Sequence, residues 1–406
     1  VKRKVVAAFA VLGPGLIAAN AGNDAGGIAT YASAGAQFVY RTLFVMLVVT
    51  VALMVVQEMS ARLGVYTGEG LVSLIREQFP LRWGAFAATC LVVANIGLVV
   101  AEFAGIGAAL ELLHVSRYLS VPIAGVALWS LVAFGSYRYV ERVFLVFTLP
   151  FLAYPIAALL GHPNWSEVGT NTVIPHLTTS RTFLVVVVAL IGTTITPYMQ
   201  LYQAAAVADR GTGVENYRAA RRDAITGSVF CNVISMTIII ATAAAIGGSG
   251  PLSSTKQAAL ALEPVAGKAA TTLFAIGLLG ASALAAAVVP LSTSYAISEA
   301  VGAERSVSRR FREAPLFLGL FTAQIVIGVV VALAPGNLID LLINTQILNG
   351  IISPIFLVFI LVLANRRDLL GTAANKGWFK ALATVLVGLV AVLAAAVVGI
   401  TVAGWL

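Results

Sequence analysis

Two short stretches decide how this chain must fold: Ala21-Gly22-Asn23-Asp24-Ala25-Gly26-Gly27 and Gly192-Thr193-Thr194-Ile195-Thr196-Pro197-Tyr198. Each sets polar residues with glycine or proline inside a run that is otherwise long and apolar enough to cross a bilayer. Unpaired backbone groups in hydrocarbon cost several kcal/mol each, so both breaks must face protein or a wet cavity. Counting outward in apolar runs of roughly 20 residues gives eleven stretches, at about 8–39, 42–64, 84–113, 119–134, 139–160, 182–206, 224–247, 269–300, 315–334, 338–364 and 379–404. The breaks fall in the first and the sixth, five helices apart. Paired interruptions at matching places in two five-helix halves point to an inverted-repeat transporter with its site near the midplane. The expected fold is an all-α integral membrane protein of eleven transmembrane helices, a 5+5 inverted repeat with helices 1 and 6 broken. One transporter domain fills 1–406, with repeats near 5–160 and 182–364 and an extra helix at 379–404.

Composition agrees. Of 406 residues 60% are hydrophobic and 10% charged, against roughly 25% charged in soluble domains, which excludes a soluble globular protein. The net charge of +8 is diluted among apolar runs, so the bases are expected to meet a membrane surface and not nucleic acid. Cys90 and Cys231 lie in apolar stretches and read as small packing residues. Val1-Lys2-Arg3-Lys4 imitates a secretion signal, yet Gly13-Pro14-Gly15 and Asp24 interrupt the run behind it, and an uncleaved first helix is expected. With the amino terminus inside, only Arg41, Arg117, Arg181, Lys256 and Lys268 of the 25 basic residues fall outside. Positive-inside bias therefore predicts a multi-pass plasma (inner) membrane protein with a cytoplasmic amino terminus and an external carboxyl terminus. The segment 69–79 reads as a short amphipathic helix on the inner surface.

Asp24 is the sole acid at either break. Charging it inside the membrane costs a few kcal/mol or more unless a cation or partner compensates, so it reads as an ion ligand. The hydroxyls of Thr193, Thr194 and Thr196 have an alternative, since membrane-helix hydroxyls often bond back to the preceding turn. Gly26 and Gly27 can serve simply to permit the break, and Pro197 mainly frees backbone carbonyls. His114, His162 and His176 all fall near outer helix ends or in an outer loop, leaving no imidazole at membrane depth. Met199 reads as packing. Oxygen-only sites suit magnesium, calcium or manganese, whereas sulfur selects softer metals.

Three further motifs resemble one family. Gln57-Glu58-Met59-Ser60-Ala61-Arg62-Leu63-Gly64 with Thr67-Gly68 is similar to the second-helix signature of the natural resistance-associated macrophage protein (NRAMP) divalent-metal transporters. Gly161-His162-Pro163-Asn164-Trp165 resembles their loop before the sixth helix, and Ala101-Glu102 with Gly105 and Ala108-Ala109-Leu110 their third helix. The resemblance spans nearly the whole chain and implies the architecture known as the LeuT-like fold. The functional motifs depart from it. The family's Asp-Pro-Gly-Asn is here Asp24-Ala25-Gly26-Gly27, and its Met-Pro-His is Thr196-Pro197-Tyr198. A second family histidine falls on Gln203, and the acid three positions before Glu102 is Val99.

These departures resemble the NRAMP-related magnesium transporters. The resemblance implies Asp24 as charged ligand, the Ala21 and Thr193 carbonyls as backbone ligands, Thr196 as a direct or water-mediated ligand, and Gln346 as a glutamine able to approach the metal. Gly27 replaces the family's asparagine ligand and makes space for a hydrated ion, while Asn344 and Thr345 could equally line the cavity. Magnesium is hard, prefers octahedral oxygen and keeps several waters, which suits a roomy oxygen site. Glu102 reads as a hydrogen-bonded structural acid, and Glu58, Glu299 and Asp340 as acids at membrane boundaries. The expected activity is uptake of divalent cations, chiefly Mg2+ as a partly hydrated ion together with Mn2+, by alternating access without proton coupling. No cofactor, nucleic acid or obligate protein partner is expected, and a monomer in the lipid bilayer suffices. The alternatives are a proton-coupled Mn2+/Fe2+ importer of the usual family type and a sodium-coupled organic solute symporter. An intramembrane hydrolase ranks last for want of midplane histidine, and the paired breaks favour alternating access over a passive channel.

Overall fold

The computed structural model describes residues 23–134, 153–252, 254–263, 267, 270–303, 311–334 and 338–403. Among these the regular structure is entirely helical. The longer helices are α1 (Ala25–Phe38), α2 (Leu43–Thr67), α3 (Leu71–Gln78), α4 (Leu81–Leu112), α5 (Arg117–Phe134), α6 (Ala153–Leu160) and α7 (Trp165–Val173). They continue with α8 (Arg181–Thr194), α9 (Pro197–Asp209), α10 (Tyr217–Ile246), α11 (Ala270–Val301), α12 (Pro315–Ala332), α13 (Leu338–Asn365) and α14 (Gly377–Ala403). Nine apolar spans lie complete among the described residues, with α8 and α9 together forming one of them. α1 and α6 are the described parts of the first and fifth stretches. Ala21, with the rest of the first stretch before residue 23, lies outside the described residues, as does 135–152.

Burial separates core from lipid face. Of the most apolar window in 181–209, 83% is enclosed by protein, against 28% in α5 and in α14. α8 and α9 are therefore central, as is α1, buried from Ala25 through Ala36, and α5 and α14 present most of their surface outward. Exposed Trp83 and Trp378 stand near the starts of α4 and α14, and exposed Tyr118 near the start of α5, as amphipathic rings do at a membrane interface.

Close helix approaches depend on glycine. A Cβ at Gly192 of α8 would stand 2.0 Å from the Gln346 carbonyl oxygen and 2.4 Å from the Gly350 nitrogen of α13. One at Gly350 would stand 2.2 Å from the Val188 carbonyl oxygen, so α8 and α13 touch backbone to backbone. Gly64 of α2 does the same against α9, 2.5 Å from the Ala204 carbonyl oxygen. Without a hydrophobic force between helices in lipid, such small-residue contacts supply the packing energy.

The second-helix signature builds a polar knot at the end of α2. Arg62 pairs with Glu58 at 3.1 Å. It also donates to the Ala373 carbonyl at 2.6 Å and to Asn375 Oδ1 at 2.5 Å, and its guanidinium lies 5.4 Å from the centre of the Phe379 ring. The Tyr217 hydroxyl donates to Glu58. Glu58 is thus a structural acid that ties α2 to α10 and to the loop before α14. The amphipathic helix α3 differs from expectation: Leu71, Val72, Leu74 and Ile75 are buried against the bundle, and Arg76 donates to the Ala300 carbonyl near the end of α11 at 3.1 Å. Its apolar face is covered by protein and not by lipid.

The glycine contacts predict a contrast. Gly192→Ala should lower the melting temperature in detergent, since a rigid backbone cannot yield and overpacking costs about 1–3 kcal/mol. Gly388→Ala in α14, where a Cβ meets nothing within 4 Å, should leave it unchanged or slightly raised.

Candidate metal site

The first break resolves into a capped helix start. Asp24 is extended (φ −69°, ψ −179°) and caps α1, its Oδ1 accepting from the Gly27 N–H at 2.5 Å. The first N–H groups of a helix have no partner within it, and here two are taken by carboxylates. Gly27 N–H goes to Asp24, and Ala25 N–H goes to Glu102 Oε2 of α4 at 3.2 Å. A negative charge at this end also meets the positive end of the helix dipole. Glu102 is fully buried, and its Oε1 has no hydrogen-bond partner. Asn23 anchors the segment before α1: its amide donates to the Cys231 carbonyl at 3.3 Å and accepts from Ser235 at 2.8 Å, both on α10.

From α13, Gln346 Nε2 donates to both Asp24 oxygens, at 3.1 and 3.2 Å. The amide lies where Gly26 has no side chain, since a Cβ there would come within 2.1 Å of Nε2. Gly26 therefore does more than permit the break; it makes room for Gln346.

The sixth helix breaks between α8 and α9. Ile195 ends α8 with its N–H on the Ile191 carbonyl at 2.7 Å, and Thr196 precedes Pro197 at the first position of α9, where a missing N–H is harmless. The Ile195 carbonyl accepts from Ser353 Oγ of α13 at 2.8 Å. Thr194 Oγ1 lies 3.0 Å from the Tyr31 hydroxyl of α1, joining the two broken helices directly. Thr193, Thr196, Gln200 and Gln203 are all fully buried. Met199 sits in the apolar core.

The structure thus brings Asp24 and Gln346 together and keeps Thr193 and Thr196 buried at the second break, with α13 reaching both interruptions. Gly27 offers its N–H to Asp24 and brings no side-chain oxygen. Ala21 lies outside the described residues. His114, His162 and His176 are all exposed, and among the described residues no cluster of three His, Cys, Asp or Glu side chains could hold a metal. Sequence reasoning gave no role to Asn23, which lies in the first break itself, and missed Ser235 and Ser353, polar residues in apolar helices whose partners are distant in the chain. Cys231 packs in the core as expected, and its backbone carbonyl also receives Asn23 beside the first break.

A family model described as "Natural resistance-associated macrophage protein-like" matches residues 15–399. The chain belongs to the NRAMP family. Among NRAMP relatives, a divalent metal cation transporter MntH of Burkholderia ambifaria is 27% identical over 388 residues, covering 92% of this chain and 84% of its own. Another MntH, from Klebsiella pneumoniae, is 25% identical over 393 residues, covering 94% and 92%. Among solved structures, the Eremococcus coleocola manganese transporter superposes with a TM-score of 0.79 at 18% identity, covering 94% of this chain and 84% of that one. Mhp1, a nucleobase-cation-symport-1 family transporter, reaches 0.58 at 14% identity over 95% and 90%. The fold is the broken-helix LeuT-like architecture of the NRAMP transporters.

Pairing at the first break can be tested through its acceptor. Glu102→Leu strands the Ala25 N–H and should cost about 1–3 kcal/mol of stability. Glu102→Gln keeps an acceptor oxygen and should cost markedly less. Thermal unfolding of both variants in the same detergent provides the comparison.

Proposed function

We propose that this NRAMP member is a secondary transporter that takes up divalent cations, chiefly Mg2+ as a partly hydrated ion and also Mn2+, by alternating access and without proton coupling. The observation that carries the reading is the chemistry around Asp24. One buried carboxylate is met by an amide, with buried hydroxyls at the facing break and every histidine of the chain exposed. Hard oxygen donors suit magnesium and manganese, and a position without sulfur or imidazole forfeits the preference softer metals would enjoy. The ligand set is Asp24, the Ala21 and Thr193 carbonyls, Thr196 and Gln346. Gly27, in place of an asparagine, leaves coordination sites to water. The MntH names of the relatives and the manganese transporter among the structural neighbours support divalent metal as the cargo.

The membrane potential suffices as a driving force. Two charges moving inward gain about 4.6 kcal/mol per 100 mV, or about three decades of accumulation. Glu102 is engaged with the Ala25 N–H, and its family companion is Val99, which cannot carry a proton. The reading includes a single transporter domain with repeats near 5–160 and 182–364, a cytoplasmic amino terminus, an external carboxyl terminus and no catalytic activity. A second reading, the proton-coupled Mn2+/Fe2+ importer, draws on the MntH relatives.

In proteoliposomes, millimolar Mg2+ should compete with Mn2+ uptake, and Asp24→Ala should reduce uptake of both to the level of empty vesicles. Manganese uptake indifferent to millimolar magnesium would favour the second reading. A lumenal pH dye should stay flat during metal uptake at imposed inside-negative potential, whereas acidification that scales with metal entry would overturn the uncoupled mechanism.

A further inference from the structure

An alternating-access carrier that takes up metal without a proton must return with no cargo, and on that leg Asp24 has neither metal nor proton to offset its charge in the membrane. We infer that the Gln346 carboxamide is the counter-donor for this return, presenting its NH2 to Asp24 on the cargo-free leg and turning over to present its oxygen on the loaded one. The inference rests on the uncoupled reading above and identifies the residue that makes it workable.

Three observations carry it. First, Nε2 lies 3.1 and 3.2 Å from the two Asp24 oxygens. An ionised carboxylate only accepts, and an amide NH2 only donates. This arrangement excludes a cation on those same oxygens, because amide hydrogens occupy the space the ion needs. Together with the Gly27 N–H at 2.5 Å, it gives the carboxylate two donor groups, which are strong when the acceptor is charged. Second, Gln346 Oε1 is buried without any hydrogen-bond partner. A buried acceptor left unpaired calls for an explanation, and a ligand oxygen held ready for the cation supplies one. Turning the amide breaks no bond except those to Asp24, and the terminal torsion of glutamine is broad and nearly two-fold. Third, the space the amide occupies exists because residue 26 is glycine.

The test separates the two legs. Net uptake of radioactive manganese into metal-free proteoliposomes needs the cargo-free return in every cycle; exchange against internal unlabelled manganese does not. Gln346→Glu keeps an oxygen ligand and, ionised, has no N–H to offer. Its ratio of net uptake to exchange should fall about tenfold or more relative to the unsubstituted protein, equivalent to about 1.4 kcal/mol or more on the return step. An unchanged ratio, with both fluxes reduced alike, would overturn the inference and leave Gln346 as a ligand or a structural residue. Should that variant fail to fold, Gly26→Ala, which pushes the intact amide away from Asp24, is read by the same ratio with the same expected direction. The unsubstituted protein judges the underlying reading separately: absent exchange, or net uptake that strictly requires an imposed proton gradient, defeats uncoupled transport and this inference with it.

Discussion

Backbone groups freed inside a membrane must be paired, and this chain opens two helices at membrane depth. Each opening is closed by side chains: at the first, the capping Asp24 takes the Gly27 N–H and Glu102 from α4 the Ala25 N–H, and at the second Ser353 from α13 takes the Ile195 carbonyl. α13 serves both openings, through Gln346 at one and Ser353 at the other. Were these partners lost, the polar groups would face hydrocarbon at several kcal/mol each. The close glycine contacts between α8 and α13 serve the same need, since they accompany the reach of the Ser353 hydroxyl to the Ile195 carbonyl.

The same pairing shapes the chemistry. The Asp24 carboxylate is held at a helix start by N–H donors, and the proposed function asks it to exchange some of them for a cation. What surrounds it decides the choice of ion. Amide, hydroxyl and backbone oxygens discriminate little among hard divalent ions, so the proposed function makes retained water the basis of selection. The family's sulfur and imidazole are replaced at Thr196 and Tyr198, and the histidines that remain are exposed.

Much of this was legible in the sequence because glycine, proline and a lone acid stand out in apolar runs. Both breaks, the central place of Asp24 and the class of fold follow from such local contrasts. The partners were not legible, since Ser353, Ser235 and Asn23 find groups more than 150 residues away in the chain, and a single hydroxyl in a helix more often bonds its own preceding turn. Gln346 entered through family resemblance alone. Periodicity correctly gave α3 an apolar face, yet it says nothing of whether lipid or protein covers that face. Cys231 packs in the core as its hydropathy suggests, but the contact its backbone carbonyl makes with Asn23 leaves no trace in side-chain chemistry.

The little-buried helix α14 has a consequence for the membrane itself. Past Lys380, its apolar run from Ala381 to Ala403 spans about 35 Å at 1.5 Å each, longer than a hydrocarbon layer of about 30 Å. Hydrophobic mismatch of this size is relieved by tilting or by local thickening of the bilayer. The loop before α14 is tied to α2 through Arg62, so strain from bilayer thickness acts on a segment clamped to the bundle core. Lipid chain length thereby becomes a mechanical variable for this protein.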